Sequence, residues 1–567
     1  MKEARRLPVG PVPASFDGTG RAPAYAENWL AMAGAEAASG GPVIRLWDFQ
    51  TGMEGNGADA SAAAGPAAAI GHADGPGMPL PADMPEKWCG LVGAVLALAE
   101  AWRGQDGRAP EYDVSAADVM RSFALQNSGT PEERRRLWKR NGRICVEHGL
   151  IFPMGFFACR DGHVALLGRS RRDWQRIATA VGDPGWTRRP GFDNPFVLAR
   201  QSAEADALLE ETLADQGRDD LLVRGLEEGA VIAPVYSFAE ALERGVFRPG
   251  FEKPAMPFLA ESLGEGGAAA RRKRGGPAGP LEGLVCVEFC WIWSGPMVGQ
   301  ILADLGAEVV KVESPDRFDL YRTRGLEHLR GKMDEDIRLE SSLYFHSLNR
   351  NKTGLSLNLK SEEGKARLLE LVAQADLLIE NFTVGTMERI GLGRDVLKQA
   401  NPGLVSLSMS GPGRGSSVER LRSYGLVLSA LAGAEILIQD DQGAFIGSPT
   451  FSISDPNAAC FGAFAALAAL VAKDRDGKGR ALDLSQIEAA AALAETPALG
   501  PPRPMSVPVV ELDESDASPV FADCPGWIEA HHPVTGREWL VAAPWRADGR
   551  RPPFRKPAPM LDRGAER

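Results

Sequence analysis

The chain has 567 residues, 44% of them hydrophobic and 24% charged, so at roughly 150 residues per folding unit it should hold about three or four units. With 63 basic against 75 acidic side chains the formal charge is −12, which argues against a broad surface that neutralises nucleic-acid phosphates. The longest apolar runs, 90–101 and 459–472, fall short of the roughly 18 residues that a bilayer span needs, so both read as buried helices and no membrane association is expected.

In chain order, the opening residues carry Lys2, Arg5 and Arg6 with no apolar stretch behind them. That is unlike a secretory leader, and the expectation is a cytoplasmic protein. Residues 49–86 run through Gly, Ala, Asp and Pro with hardly any large apolar side chain, a compositional break. An alanine- and leucine-rich helix follows at 93–102 (GAVLALAEAW), then Asp106-Gly107 and Asp113-Val114-Ser115. The same features return as GAFAALAALV at 462–471, Asp476-Gly477 and Asp483-Leu484-Ser485; from 106 to 476 and from 113 to 483 the displacement is 370. One helix, turn and strand unit is therefore present twice. No early strands are recognised ahead of the first copy, so the first half is expected to need the second to complete its sheet.

Residues 271–279, RRKRGGPAG, form a charged, glycine-rich break that reads as a linker between two halves. Beyond it, buried-strand patterns at 284–289, 308–312, 355–359, 376–379 and 404–409 alternate with helical patterns starting at Pro296 and covering 361–375 and 385–390. This predicts a parallel, Rossmann-like sheet whose ligands bind outside the carboxyl ends of its strands. CWIWSGP, not GxGxxG, follows the first strand, which disfavours a dinucleotide. After Leu499 the text turns Pro-rich, suited to a tail that wraps over a surface. The seven cysteines are odd in number and scattered, so neither disulfides nor zinc are expected. The seven histidines show no HxH or HExxH spacing; no metal site is expected, and His531-His532 is expected to face solvent. Ser294 stands in WSGP, not in a GxSxG elbow, which disfavours a serine hydrolase.

Three blocks in the second half carry a resemblance: LEGLVCVEFCWIWSGPMVGQILADLGAEVVKVESP, SLYFHSLNRNKTGLSLNLKSEEGKARLLELVAQADLLIENFTVGTMERIGLG and NPGLVSLSMSGPG. Over 281–495 they resemble the N-terminal part of class III CoA-transferases, the formyl-CoA and carnitine-CoA transferase type. In the first half, GFFACRDGHVALLGRSRRDWQRIATAVGDP and VIAPVYSFAEAL resemble the small domain of the same family, so its segments stand here in rearranged order. The resemblance implies an α/β fold with a Rossmann-like parallel sheet domain and a smaller α+β domain. The organisation expected is a partial portion at 1–270 (helical unit 86–125, small domain 150–250), a linker at 271–280, a CoA-binding domain at 281–495 and a tail at 496–567.

The implied activity is transfer of CoA between an acyl-CoA thioester and a carboxylic acid, with CoA as substrate and product and no tightly bound cofactor. A carboxylate attacks directly, without a base. The resemblance places it at Asp455 in FSISDPNAACFGAFAAL, where an ordinary helix N-cap is the plainer reading. In the first copy Pro85 falls at the matching position and Asp83 lies out of register, which implies one nucleophile per chain. The resemblance also assigns Trp293 to the pantetheine arm, Leu357 and Lys360 to the adenine and phosphate end, and Asn381 and Phe382 to the strand-end contact. It gives Arg389 to a phosphate and Arg422 to the thioester. Core aromatics and solvated charges would explain the same residues. Pro315 departs from the family, some members of which carry an arginine there. A racemase or isomerase of the same fold is the alternative, but related enzymes of that kind use a histidine as base where Tyr424 stands, and a tyrosine is a poor general base at neutral pH, which favours the transferase; a silent CoA-binding paralogue is another reading. Members of this type form interlocked dimers, and a homodimer is expected.

Overall fold

A computed structural model of the protein describes residues 3–104, 108–124, 139–145, 151–265, 273–326, 329–501, 503–511, 514, 518–522 and 525–562. Asp106 and Gly107 of the repeated unit and Arg271 and Arg272 of the linker lie outside them. The strands, in chain order, are β1 (Gly10–Thr19), β2 (Ala35–Trp47), β3 (Tyr112–Ser115), β4 (Met154–Cys159), β5 (Gly162–Leu167), β6 (Ile232–Pro234), β7 (Phe258–Glu265) and β8 (Val285–Phe289). They continue with β9 (Glu308–Glu313), β10 (Thr353–Ser356), β11 (Leu377–Glu380), β12 (Val405–Ser410), β13 (Lys478–Ser485), β14 (Trp527–His532), β15 (Gly536–Val541) and β16 (Trp545–Ala547).

Two open sheets organise the molecule, the first in the order β1-β2-β3-β16 and the second in the order β10-β9-β8-β11-β12-β13-β7. Every neighbouring pair is parallel except β16 on β3 and β7 on β13. Those two exceptions are edge strands brought in from elsewhere in the chain. β7 leaves the first portion and pairs with β13 of the second, while β16 in the tail returns to β3 of the first. Their registers correspond, with Phe258 opposite Leu484 and Trp545 opposite Val114, each directly after a proline. The exchange interlocks the two portions within a single chain.

The first half does possess early strands, contrary to the expectation that it lacks them. β1 reads GPVPASFDGT and β2 AEAASGGPVIRLW, so small residues and prolines hide the period-two apolar signal. β1 is an edge strand, where proline is tolerated because no ladder donor is lost to a neighbour. The break expected at 49–86 is likewise structured in part: the helix Gly57–Ala63 is buried throughout, its start fixed by a capping box between Asn56 and Asp59.

The two repeated helices, Asp83–Arg103 and Ser454–Asp476, pack on each other at the centre. Trp88 Nε1 donates to Asn457 Oδ1 at 2.9 Å, and Trp29 meets Phe461 edge to face at 5.2 Å. Ser454–Asp476 is long and apolar enough to cross a membrane, but 94% of its apolar stretch is buried by the fold. The antiparallel trio β4-β5-β6, with the helices Arg171–Ala180, Ser202–Leu213 and Arg218–Glu228, encloses a separate core around Phe152, Trp174 and Leu209. β14 and β15 form a hairpin in the tail. There the solvent-facing expectation for the histidine pair holds for His531 and fails for His532, which is buried because alternate hairpin residues face inward.

Candidate active site

Asp455 sits in the first turn of Ser454–Asp476, where the helix dipole favours an anion. Its carboxylate opens into a cavity of about 350 Å³ between the second sheet and the small domain. The positive charge of Arg169 and, after it, the polar groups of the neighbouring Ser294 favour its ionised form. Burial outweighs these partners and pushes the carboxyl up to about 6.

Ser294 reaches that position because β8 ends in a tight turn, Cys290-Trp291-Ile292-Trp293, before the helix Ser294–Asp304. Ile292 has φ +72°, a left-handed conformation that disfavours a β-branched residue by roughly 1 to 3 kcal/mol. The turn is clamped on both sides. Asn381 accepts from Trp291 N at 2.9 Å and donates to Trp291 O at 2.8 Å, and Asp319 accepts from Ile292 N at 2.8 Å. Asp319 is itself held by Lys311 at 3.1 Å, which also contacts Glu288 at 3.1 Å, all three fully buried.

The opposite wall is the start of the helix Gly425–Leu431. A Cβ on Gly425 would stand 2.5 Å from Asp455 Oδ2 and would also strike Ser452 Oγ. Gly425→Ala is therefore expected to lower kcat by about tenfold or more with little change in melting temperature, because it displaces the Asp455 carboxylate from its place in the cavity. Steady-state kinetics beside a thermal melt would check it.

Trp293, Asn381, Phe382 and Asp455 line the one cavity, together with Trp291, Arg169, Tyr321, Arg324, Tyr344 and Tyr424. Phe382 packs edge to face on Phe289 at 4.9 Å and on Trp291 at 5.6 Å. Asn381 thus holds the turn besides facing the cavity. Leu357 packs in the same apolar cluster as Phe382, outside the cavity wall, and Lys360 is exposed beyond it. Arg389 is exposed near the cavity-wall residue Val384, its Nη2 donating to Thr386 Oγ1 at 2.6 Å. Arg422 does not line the cavity: it pairs with the buried carboxylate of Asp173 at 3.1 Å, and the cation acting on Asp455 is Arg169 of the small domain.

The first half repeats this architecture without the carboxylate. Gly57 opens a helix against the start of Asp83–Arg103 as Gly425 does against Ser454–Asp476, and a Cβ on it would meet Ala82 O and, at 3.2 Å, Pro85. Pro85 occupies the place of Asp455. The chain's own tail crosses the same region: Asn56 donates to Pro504 O at 2.9 Å, Val507 N donates to Asp59 at 3.1 Å and Val510 N to Ala62 O at 3.0 Å. Arg503 contacts both Asp48 and Glu86 there.

The model of CoA-transferase family III matches this sequence over residues 50–250 and again over 281–508, well over half of the chain. The chain belongs to CoA-transferase family III. Within that family it is 35% identical over 222 residues to a succinyl-CoA–D-citramalate CoA-transferase of Chloroflexus aurantiacus, covering 39% of this chain and 52% of that protein. It is 35% identical over 216 residues to an acetyl-CoA:oxalate CoA-transferase of Acetobacter aceti, covering 37% and 52%. A crystal structure of a CaiB/BaiF family protein from Brucella suis matches at 35% identity over 38% of this chain and 55% of that one, with a TM-score of 0.34. The chain spans about half the length of the curated relatives it matches. The double family match agrees with two portions that exchange edge strands, the α/β fold with parallel sheets and a smaller α+β domain.

Proposed function

We propose that this chain transfers CoA from an acyl-CoA thioester to a carboxylic acid through covalent stages on Asp455. The observation that carries the reading is the carboxylate itself: a helix-start aspartate beside Ser294, open to a cavity and under the positive charge of Arg169. Its attack on the thioester carbonyl forms a mixed anhydride and expels the CoA thiolate. The thiolate then attacks the Asp455 carbonyl, releasing the donor acid and leaving an aspartyl-CoA thioester. The acceptor carboxylate repeats the two steps in reverse. Ser294 and the helix start offer donors for the negative charge that develops on the carbonyl oxygens.

CoA is substrate and product in this reading, its arm lying along Trp293, Asn381 and Phe382 and its phosphates toward Leu357, Lys360 and Arg389. For Arg389→Ala, calorimetry with CoA is expected to show a roughly tenfold to hundredfold loss of affinity, the usual worth of a charge-assisted phosphate contact. Arg169 and Arg324 in the cavity wall favour an acid with a second carboxylate, and citramalate and oxalate, named for two relatives, are both dicarboxylic. Arg169→Met is expected to raise KM for a dicarboxylic acceptor about tenfold and leave a monocarboxylic one nearly unchanged.

Incubation with a panel of acyl-CoAs and hydroxylamine, followed by mass spectrometry of the peptide around residue 455, tests the mechanism. An adduct at Asp455 supports it; CoA binding with no adduct from any donor would favour a silent paralogue, and α-proton exchange without adduct a racemase. A cytoplasmic location and a homodimer belong to the same proposal. Because the strands interlock within one chain, pairing would add contact surface without completing the site, and light scattering distinguishes one 60.6 kDa chain from two.

A further inference from the structure

The C-terminal hairpin packs on the helix Leu343–Asn349 through three buried polar side chains: His346 on the helix, His532 at the end of β14 and Glu538 on β15, exposed by 1%, 1% and 6%. One donor atom of each lies within 4.8 Å of those of the other two. His346 Nδ1 is 2.7 Å from Glu538 Oε1, an oxygen that also receives the Thr535 hydroxyl, and His532 Nδ1 accepts a long 3.3 Å bond from Val534 N. These contacts leave Nε2 of both rings buried and without a hydrogen bond of normal geometry among the described residues. The two imidazoles stack at 4.1 Å. The Ala558 backbone beside His532 adds an oxygen to the surroundings. Arg322, the nearby cation, is occupied by Glu313 at 2.7 Å and Glu340 at 2.9 Å.

Two buried imidazole nitrogens without a well-formed hydrogen bond are costly, since each forfeits the water it had when exposed. Two nitrogens and one carboxylate form a donor set that suits zinc and its late first-row neighbours, and not magnesium or calcium, which take oxygen. We propose that His346, His532 and Glu538 bind a zinc-class divalent ion that staples the C-terminal hairpin to the helix Leu343–Asn349. His346 ligates through Nδ1, beside Glu538 Oε1, with the ion taking the place of the proton those two atoms share; His532 turns out of the stack to bring a ring nitrogen to the ion. Tyr344 of the same helix lines the Asp455 cavity, so the staple fixes one of its walls. Sequence spacing hides the site because His346 comes from a helix far upstream of the hairpin.

The test is independent of CoA chemistry. Full-length protein is stripped with a chelator, dialysed against Zn2+ and analysed for metal, alongside His532→Phe, which keeps a ring in the stack, Glu538→Gln, and His531→Phe on the exposed neighbour. About one ion per chain is expected in the wild type and in His531→Phe, with a melting temperature several degrees above the stripped form, and neither in the other two. Co2+ added to the stripped wild type should give the intense visible absorption of a low-coordinate N/O site. No bound zinc above the His532→Phe level, or a featureless cobalt spectrum, overturns the proposal; the cobalt measurement decides it even where a variant does not fold.

Discussion

Asp455→Ala should lower transfer turnover by about a thousandfold or more while CoA affinity stays within roughly twofold, because the substitution removes the nucleophile and no cationic contact. The wild-type pH profile provides the sharper signature. Burial lifts the Asp455 carboxyl from its ordinary 3.8 to about 6, against the pull of Arg169 and Ser294. In the proposed mechanism the ionised form attacks, so kcat/KM should fall about tenfold per pH unit below about 6 and flatten above it. Removing the positive charge in Arg169→Met should move that inflection upward, since Arg169 favours the ionised form. A flat profile from pH 5 to 8, or substantial turnover by Asp455→Ala, would end the nucleophile assignment. Asp83→Ala is the control at the start of the other repeated helix: it strips the buried Lys87 of a 2.6 Å partner and should cost stability without changing turnover per folded molecule.

What could be read from the sequence followed the strength of the local signal. β8 (VCVEF) and β9 (EVVKVE) announce themselves by β-branched apolar runs, and the helix Ser454–Asp476 by an uninterrupted alanine-rich text closed at Gly477, which adopts φ +73°. β1 and β2 were invisible because alanine, glycine and proline carry little hydrophobic periodicity, and their pairing is enforced by the long-range fold. The exchange of β7 and β16 leaves no trace in local pattern either; the Pro-Phe and Pro-Trp pairs gain meaning only once the registers are known. At the site, Asp455 and the aromatic turn lie in blocks whose order is informative. Arg169 was missed because the small domain brings it from a distant stretch of chain. One clue was available: Lys311 lies inside an apolar strand, and a charge there demands buried partners, which Glu288 and Asp319 supply beneath the strained turn.

Arg503→Met should destabilise the protein by about 2 to 4 kcal/mol and do so more at higher pH. Arg503 is a tail residue, about a third exposed, that reaches two almost fully buried carboxylates, Asp48 and Glu86. Removing one partner of a buried ion pair leaves the other charge desolvated, a loss of roughly 3 to 5 kcal/mol for fully buried groups, reduced here because water reaches the arginine. Asp48 keeps the backbone donors Arg21 N at 2.8 Å and Ala22 N at 2.9 Å, whereas Glu86 keeps Gly57 N at 3.2 Å and Arg21 at 4.0 Å. Burial, followed by the charge of Asp48, raises Glu86 from 4.5 to about 7, while Arg503 holds it down. A group whose folded pKa lies above its unfolded value stabilises the fold below the unfolded pKa and loses that contribution as pH rises toward the folded one. The wild type should therefore lose stability between about pH 4.5 and 7 through Glu86, and in the variant the loss should continue above 7. Urea melts at pH 5, 7 and 8.5 measure this directly, with a wild-type-to-variant gap that widens with pH. A gap independent of pH would mean that Arg503 acts through packing alone. Because Arg503 and its neighbours lie where the second portion places the Asp455 cavity, loosening the tail should also raise the protease sensitivity of residues 503–511 before the rest of the chain unfolds.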